Sequence, residues 1–208
     1  MEGDMVYLAD IHAIAYWLSA KPKKMDTNYV RRLIEAGEDP DCCTCYLDGT
    51  LNRVETCAIP QAHSCNLTTK EARALRQCVG GWAPIHVMYG PQAVHRETNS
   101  LFSHRHAKAV PCNSYLQISK RVCVPIPELA LLQAAPRFDA VELLVLIGLF
   151  CGVFCLGEAG GYRRPLTSVK QISDCLDAWS SSANPIAGAA ILRHALKMFP
   201  RTRPRLPN

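Results

Sequence analysis

Side chains that could bind a metal ion are concentrated in one cysteine-rich segment of the chain. Cys42 and Cys45 have the C-x-x-C spacing that presents two thiolates to one ion, and Cys57, His63 and Cys65 follow. Such donors suit Zn²⁺, which takes four soft or borderline ligands in a tetrahedral arrangement. Cys57 and Cys65 do not form a second C-x-x-C pair. The pattern therefore predicts either a structural zinc site or unligated thiols in an irregular insert.

A second group of possible metal ligands lies across the predicted sheet and consists of His86, His95, His104, His106 and Cys112. His104 and His106 are two residues apart, so their side chains would share one face of a strand and could chelate an ion. No carboxylate follows at a suitable distance, and Arg105 and Lys108 would repel a cation. The alternatives are a basic sheet face that contacts phosphate, or plain surface histidines.

Motifs of nucleophilic or nucleotide-dependent catalysis are absent from the sequence. It has no G-x-S-x-G turn, no G-x-x-x-x-G-K-[ST] phosphate loop and no G-x-G-x-x-G turn. Eleven cysteines and seven histidines allow cysteine–histidine pairs by chance alone. The carboxylates of Glu128, Asp139 and Glu142 are accounted for by predicted helix starts. We therefore predict a protein that is not an enzyme and has no catalytic residues. An enzyme that uses a cysteine nucleophile or zinc is the remaining alternative, and it would require a stoichiometric metal ion or one selectively alkylated thiol.

Basic residues near the N-terminus could contact nucleic acid. Predicted helices at 11–21 and 28–36 are joined by a basic link, an arrangement compatible with a helix-turn-helix. Flexible cations and helix N-termini are the groups that contact phosphate. The candidate phosphate contacts are basic side chains on this helix pair and on the later sheet: Lys23, Lys24, Arg31, Arg32 and Arg105.

Helix signals flank a central run of strand signals. Asp10 is the predicted N-cap of the first helix, and Asp139 with Glu142 forms a capping box for a helix predicted to end near Cys155. Between them, short β-branched and aromatic runs separated by turn residues predict strands at 85–89, 101–106, 115–118 and 122–124. Further predicted helices cover 70–79, 127–135 and 168–179, and the last one starts at 184–185.

Together these elements predict a mixed α/β (α+β) chain. Its predicted parts are a helical portion at 1–38 that includes the possible helix-turn-helix, an irregular cysteine-rich insert at 39–66, an α/β core at 67–199 and a basic tail at 200–208. Within the core we expect a small, mostly antiparallel central sheet and a C-terminal helical layer.

Composition indicates a globular protein with reduced thiols. Hydrophobic residues make up 49% and charged residues 20% of the chain, and the net charge of +5 permits nucleic-acid binding without requiring it. No secretory signal is apparent and the cysteine count is odd, so a cytoplasmic location is expected. The uncharged run at 143–157 would rise only about 22 Å as a helix, against about 30 Å of hydrocarbon core. We expect a buried helix there and no membrane association.

Several stretches of the chain resemble a known family. They are H-A-I-A-Y-W at 12–17, P-I-H-V-M-Y at 84–89, S-H-R-H at 103–106, V-C-V-P-I-P-E-L-A-L-L-Q-A-A at 122–135, L-x-x-L-I-G-L-F-C-G-V-F-C-L at 143–156 and P-L-T-S-V at 165–169. In them the chain is similar to uncharacterised bacterial proteins whose N-terminal part is like AbiEi-type antitoxins. In many of those proteins this part precedes a very-short-patch-repair-like endonuclease domain.

The resemblance implies a non-catalytic, antitoxin-type module that binds DNA or regulates transcription, with a cognate toxin or another protein as a partner. The acidic metal-binding motif of the nuclease domain is not expected before Asn208, so no catalytic residue carries over. No cofactor is expected apart from the possible structural zinc. The alternative is a vestigial or protein-interaction module, truncated before its endonuclease, that binds no nucleic acid.

The DNA-binding expectation predicts an affinity for duplex DNA that falls steeply as salt rises, because each phosphate contact releases a condensed counterion. Fluorescence anisotropy with a labelled duplex, titrated between about 50 and about 200 mM salt, measures this dependence. Binding that stays flat with ionic strength would count against phosphate contacts and would favour the protein-interaction alternative.

Overall fold

A computed structural model describes residues 5–19, 53–54, 69–78, 84–89, 101–105, 114–118, 122–153, 165–180 and 187–199. The chain divides into two compact units. The first contains the described residues up to Ser19 and those from Arg53 to Ala134, and the second contains the described residues from Ala135 onward. The division falls inside the α/β core predicted at 67–199.

The first unit is built on a six-stranded mixed sheet. Its strands are β1 (Val6–Leu8), β2 (Arg53–Val54), β3 (Ile85–Tyr89), β4 (Leu101–Arg105), β5 (Tyr115–Gln117) and β6 (Val122–Pro125), in the spatial order β2-β5-β6-β1-β3-β4. The pairs β1–β6 and β3–β4 are parallel, and the other three pairs are antiparallel. The predicted α/β class is confirmed, and antiparallel pairs outnumber parallel ones in the sheet.

The sequence predicted a helical N-terminal portion, but the structure has a strand there before the first helix. The first described element is β1, which lies between β6 and β3 in the middle of the sheet, and all three of its residues are buried. A strand with neighbours on both sides and cover on both faces needs apolar residues at every position. Val6, Tyr7 and Leu8 meet that need without the alternation that marks a half-exposed strand.

Three helices accompany this sheet in the described part of the first unit. They are α1 (Asp10–Ser19), α2 (Thr69–Cys78) and α3 (Pro127–Ala134). Helix α1 contacts α3, β3 and β6, and it buries Ala13, Ile14 and Trp17. The indole Nε1 of Trp17 also donates a hydrogen bond of 2.8 Å to the carbonyl of Pro125 at the end of β6. These contacts fix α1 against the sheet.

The second unit is helical in its described residues. After a short 3₁₀ turn (Ala135–Arg137) come α4 (Ala140–Phe150), α5 (Val169–Ser180) and α6 (Gly188–Met198), and α6 packs against both others. The capping box at the start of α4 is confirmed, because Asp139 Oδ1 accepts from the backbone N–H of Val141 and Glu142 at 2.8 Å, and Glu142 Oε2 accepts from Asp139 N–H at 2.9 Å.

Helix α4 ends at Phe150, five residues before the predicted end at Cys155. Gly152 has a φ of +71°, and a Cβ there would lie 3.2 Å from Pro165, so the backbone turns where only glycine fits comfortably. The helix is also only partly buried, since Val141 is 69% exposed and Val145 is 44% exposed. No helix in the described ranges combines the length and apolar character needed to cross a membrane.

The capping box gives a stability prediction. Asp139→Ala removes the acceptor of two backbone N–H groups and should lower the free energy of unfolding by about 1 kcal/mol. Asp174→Ala is the matched control, because Asp174 only forms an exposed ion pair with Lys170 at 2.6 Å and exposed pairs contribute little. Urea denaturation followed by circular dichroism measures both. Equal effects of the two substitutions would contradict the capping role.

Candidate metal centre

Asp10 stands at the junction of β1 and α1 in an unusual backbone conformation. Its φ is +54°, in the left-handed region, which aspartate reaches more readily than most residues but still at a cost of about 1–2 kcal/mol. The residue is 3% exposed. Asp10 was predicted to be the N-cap that precedes the first helix, but α1 begins at Asp10 itself. Its carboxylate Oδ2 lies 3.1 Å from Nδ1 of His86.

His86, in the buried strand β3, is held by Ala9, just before α1, and by Asp10 and His12 in its first turn. Its carbonyl accepts from Ala9 N–H at 3.0 Å, and its own N–H donates to Nδ1 of His12 at 3.1 Å. Its ring Nδ1 faces the Asp10 carboxylate. Because His12 Nδ1 accepts this bond, its ring proton, when the imidazole is neutral, must be on Nε2. Backbone and ring of His86 are therefore both fixed.

His104 reaches the same place from β4. In the parallel pairing of β3 with β4, His86 lies opposite Phe102 and Met88 lies opposite His104. Side chains two apart on a strand share a face, so the two histidines and Phe102 lie on one face of the sheet. Nε2 of His104 is 2.9 Å from Nδ1 of His86 and 3.5 Å from Oδ2 of Asp10.

The three ligand atoms have the spacing of one face of a metal coordination shell. Their separations are 2.9, 3.1 and 3.5 Å. Ligands about 2.0–2.1 Å from a tetrahedral zinc ion are about 3.3 Å apart, which lies within this range. Two imidazole nitrogens at 2.9 Å share a hydrogen bond when one of them carries the ring proton, and a metal ion could take the place of that proton. Among the described residues, Asp10, His86 and His104 are the group that could hold a metal ion.

The site is closed on one side and accessible on the other. The side chains of Asp10 and His86 are 4% and 10% exposed, whereas that of His104 is 23% exposed. Phe102 forms an apolar wall, stacked on His86 at a centroid distance of 5.1 Å and tilted against His104 at 5.0 Å. An ion held here would be shielded by protein at the carboxylate and reachable from the His104 side.

A buried polar network lies next to Asp10. Gln133 on α3 accepts from Asp10 N–H at 3.4 Å and donates through Nε2 to the hydroxyl of Tyr115 at 3.2 Å. The Tyr115 hydroxyl donates to the sulfur of Met88 at 3.1 Å. Burial raises the pKa of Tyr115, and it raises that of the neighbouring Tyr7 to about 12, so both phenols stay protonated at neutral pH.

Only some of the candidate site residues from the sequence lie in the part of the chain that the structure describes. The predicted zinc ligands Cys42, Cys45, Cys57 and Cys65 and the predicted phosphate contacts Lys23, Lys24, Arg31 and Arg32 lie outside the described residues. Arg105 is the last residue of β4, and its side chain is also outside them. Of the histidine pair proposed as a chelate, His104 is described and His106 is not.

Sequence reasoning grouped His86 with His104 on the predicted sheet but missed Asp10, their carboxylate partner. It searched for a carboxylate near His104 in the chain, yet Asp10 lies 76 residues from His86 and still further from His104. One signal could have found it: Asp10 directly follows the apolar run at 5–9 that contains β1. The run places a carboxylate where the core should be, which is informative because such groups are rarely buried without a partner.

Cys123 is a poor nucleophile. Among the side chains that the structure describes, the cysteine thiols are those of Cys123, which is buried, and of Cys151 and Cys175, which are partly exposed. Burial raises the pKa of the Cys123 thiol to about 12, so the reactive thiolate is scarce at neutral pH. A cysteine-based mechanism at this position is therefore disfavoured.

Comparison of the chain with protein-family models, with curated proteins and with solved structures gives no match.

The thiol environments predict selective alkylation. In the folded protein, iodoacetamide should modify Cys151 and Cys175 well before Cys123, and Cys123 should react at a comparable rate only in denaturant. Peptide mass spectrometry of time points at neutral pH measures the order. Early labelling of Cys123 would show that its thiolate is accessible and would reopen a nucleophilic role.

Proposed function

We propose that this protein binds one divalent transition-metal ion, with Zn²⁺ as the best fit, through Asp10, His86 and His104, and uses that ion to activate water for hydrolysis. The observation that carries the proposal is the convergence of three buried or half-buried ligand atoms at coordination-shell spacing. They come from three separate elements, so the fold itself and no local sequence motif assembles the site.

The donor set favours an ion of intermediate softness. Imidazole nitrogen suits zinc, iron, copper and nickel, whereas magnesium and calcium prefer sites made of oxygen alone. The carboxylate and two neutral imidazoles leave a bound Zn²⁺ with a net charge of +1. An ion with that net charge can still polarise a bound water molecule. A zinc site of four thiolates would have a net charge of −2 and would polarise water less.

Access to the site supports a chemical role in addition to a structural one. Structural zinc sites are closed by four protein ligands, whereas catalytic sites commonly have three, with water or substrate in the fourth position. The described residues supply three ligands, and the most exposed of them, His104, marks the side from which water or a substrate could approach. Phe102 would meet the apolar part of a molecule that entered there.

The antitoxin-type, DNA-binding role and the vestigial protein-interaction role remain expectations from the sequence. Four of the five proposed phosphate contacts lie outside the described residues, and no described contact favours either role. A metal centre in the first unit is compatible with both, whereas the proposed hydrolysis departs from the non-catalytic protein that the sequence predicted.

Metal analysis of the purified full chain tests the proposal. After loading with Zn²⁺ and desalting, the wild-type protein should carry about one ion more than Asp10→Ala or His104→Ala. Each of these variants should lose more than about a hundredfold in zinc affinity, since losing even a group that only orients a ligand weakens affinity about 10–100-fold. His194→Ala is the matched control, because His194 is exposed on α6.

Activity is measured on the same samples with p-nitrophenyl acetate as a generic ester probe. The zinc-loaded wild type and His194→Ala should hydrolyse it faster than the metal-free protein, and Asp10→Ala should not. Equal zinc content in the wild type and both site variants would refute the metal site. Zinc binding without any metal-dependent hydrolysis would refute the hydrolytic role alone.

A further inference from the structure

The polar network behind Asp10 has no role in the metal chemistry described so far. Helix α3 is otherwise buried along its whole length, and Gln133 is its one half-exposed residue. Its amide contacts three groups that come from three different elements: Asp10 of α1, Tyr115 of β5 and Met88 of β3. A glutamine in such a position joins elements that are distant in the sequence.

We infer that Gln133 is a positioning residue that sets the direction of the Asp10 carboxylate toward the two imidazoles. This inference rests on the proposed metal site. Asp10 has a left-handed backbone with a φ of +54°. The Gln133 Oε1 receives that N–H at 3.4 Å, so the backbone of Asp10 is held by a side chain of α3.

The orientation of the Gln133 amide is fixed by its neighbours. Tyr115 donates its only hydroxyl proton to the sulfur of Met88 at 3.1 Å, so its oxygen is left as an acceptor for Gln133 Nε2 at 3.2 Å. The nitrogen of the amide must then face Tyr115, and the oxygen must face Asp10. The raised pKa of Tyr115 keeps that hydroxyl proton in place.

Positioning matters because the ligand spacing tolerates little movement. Oδ2 of Asp10 lies 3.1 Å from one imidazole nitrogen and 3.5 Å from the other. A backbone rotation at Asp10 would move the carboxylate relative to His86, whose own backbone is held separately by Ala9 and His12. Groups that orient metal ligands typically change metal affinity about 10–100-fold.

Three substitutions test the inference in the full chain. Gln133→Leu removes both the acceptor and the donor, Gln133→Glu keeps an acceptor oxygen at the same reach, and Tyr115→Phe removes only the hydroxyl that orients the amide. Gln77→Leu is the matched control, since Gln77 is an exposed glutamine on α2 in the same unit. Thermal melts confirm that each variant is folded.

The first readout is independent of metal. The ring-nitrogen NMR signals of His86 and His104 in metal-free protein report the contacts of Asp10 with both imidazoles. Gln133→Leu should shift them, Tyr115→Phe should shift them less, and Gln77→Leu should leave them at wild-type positions. Unchanged signals in folded Gln133→Leu would overturn the inference, whatever the protein binds.

The second readout uses Co²⁺ as a spectroscopic substitute for Zn²⁺. We expect Gln133→Leu to weaken Co²⁺ binding by about tenfold or more and to alter the visible absorption bands, with Gln133→Glu restoring most of the affinity. Wild-type affinity and bands in Gln133→Leu would overturn the inference. If the wild type binds no Co²⁺ or Zn²⁺ while Gln133→Leu still shifts the histidine signals, the metal proposal fails and the positioning role stands.

Discussion

A carboxylate removed from water must be balanced by positive charge or by hydrogen-bond donors, and the first unit is organised around one such group. Asp10 is almost fully buried, yet its Oδ2 is within 3.5 Å of two imidazole nitrogens. An isolated buried carboxylate would be costly enough to be neutralised or excluded. Here the balancing groups come from β3 and β4, so the sheet must bring those strands together before Asp10 can be buried.

The strand order satisfies this requirement. The placement of β1 beside β3 and of β3 beside β4 brings the end of β1 and both histidines to one face of the sheet. Residues Ala9 to His12 then hold His86 through its carbonyl, its N–H and its ring. The left-handed backbone at Asp10 is a point of local strain in this arrangement. Strained residues tend to occur at functional sites.

Much of the fold followed from local sequence signals, and the site did not. The capping box of Asp139 and Glu142, the apolar run of β3 and the proline at the start of α3 act over a few residues, so the elements they define could be predicted closely. The end of α4 was predicted too late because an apolar run does not reveal that Gly152 must turn against Pro165. The pairing of Asp10 with His86 and His104 depends on strand order, which no short pattern records. His104 was considered as a ligand, but the search for its partner was confined to neighbouring residues.

X-ray absorption at the zinc edge, on the full chain loaded with one equivalent of Zn²⁺, tests the central claim directly. The Asp10, His86 and His104 site predicts a shell of nitrogen and oxygen atoms at about 2.0–2.1 Å with the outer scattering of two imidazole rings. A shell dominated by sulfur at about 2.3 Å would contradict the account, because the ion would then be bound by cysteines and not by the buried carboxylate and its two histidines.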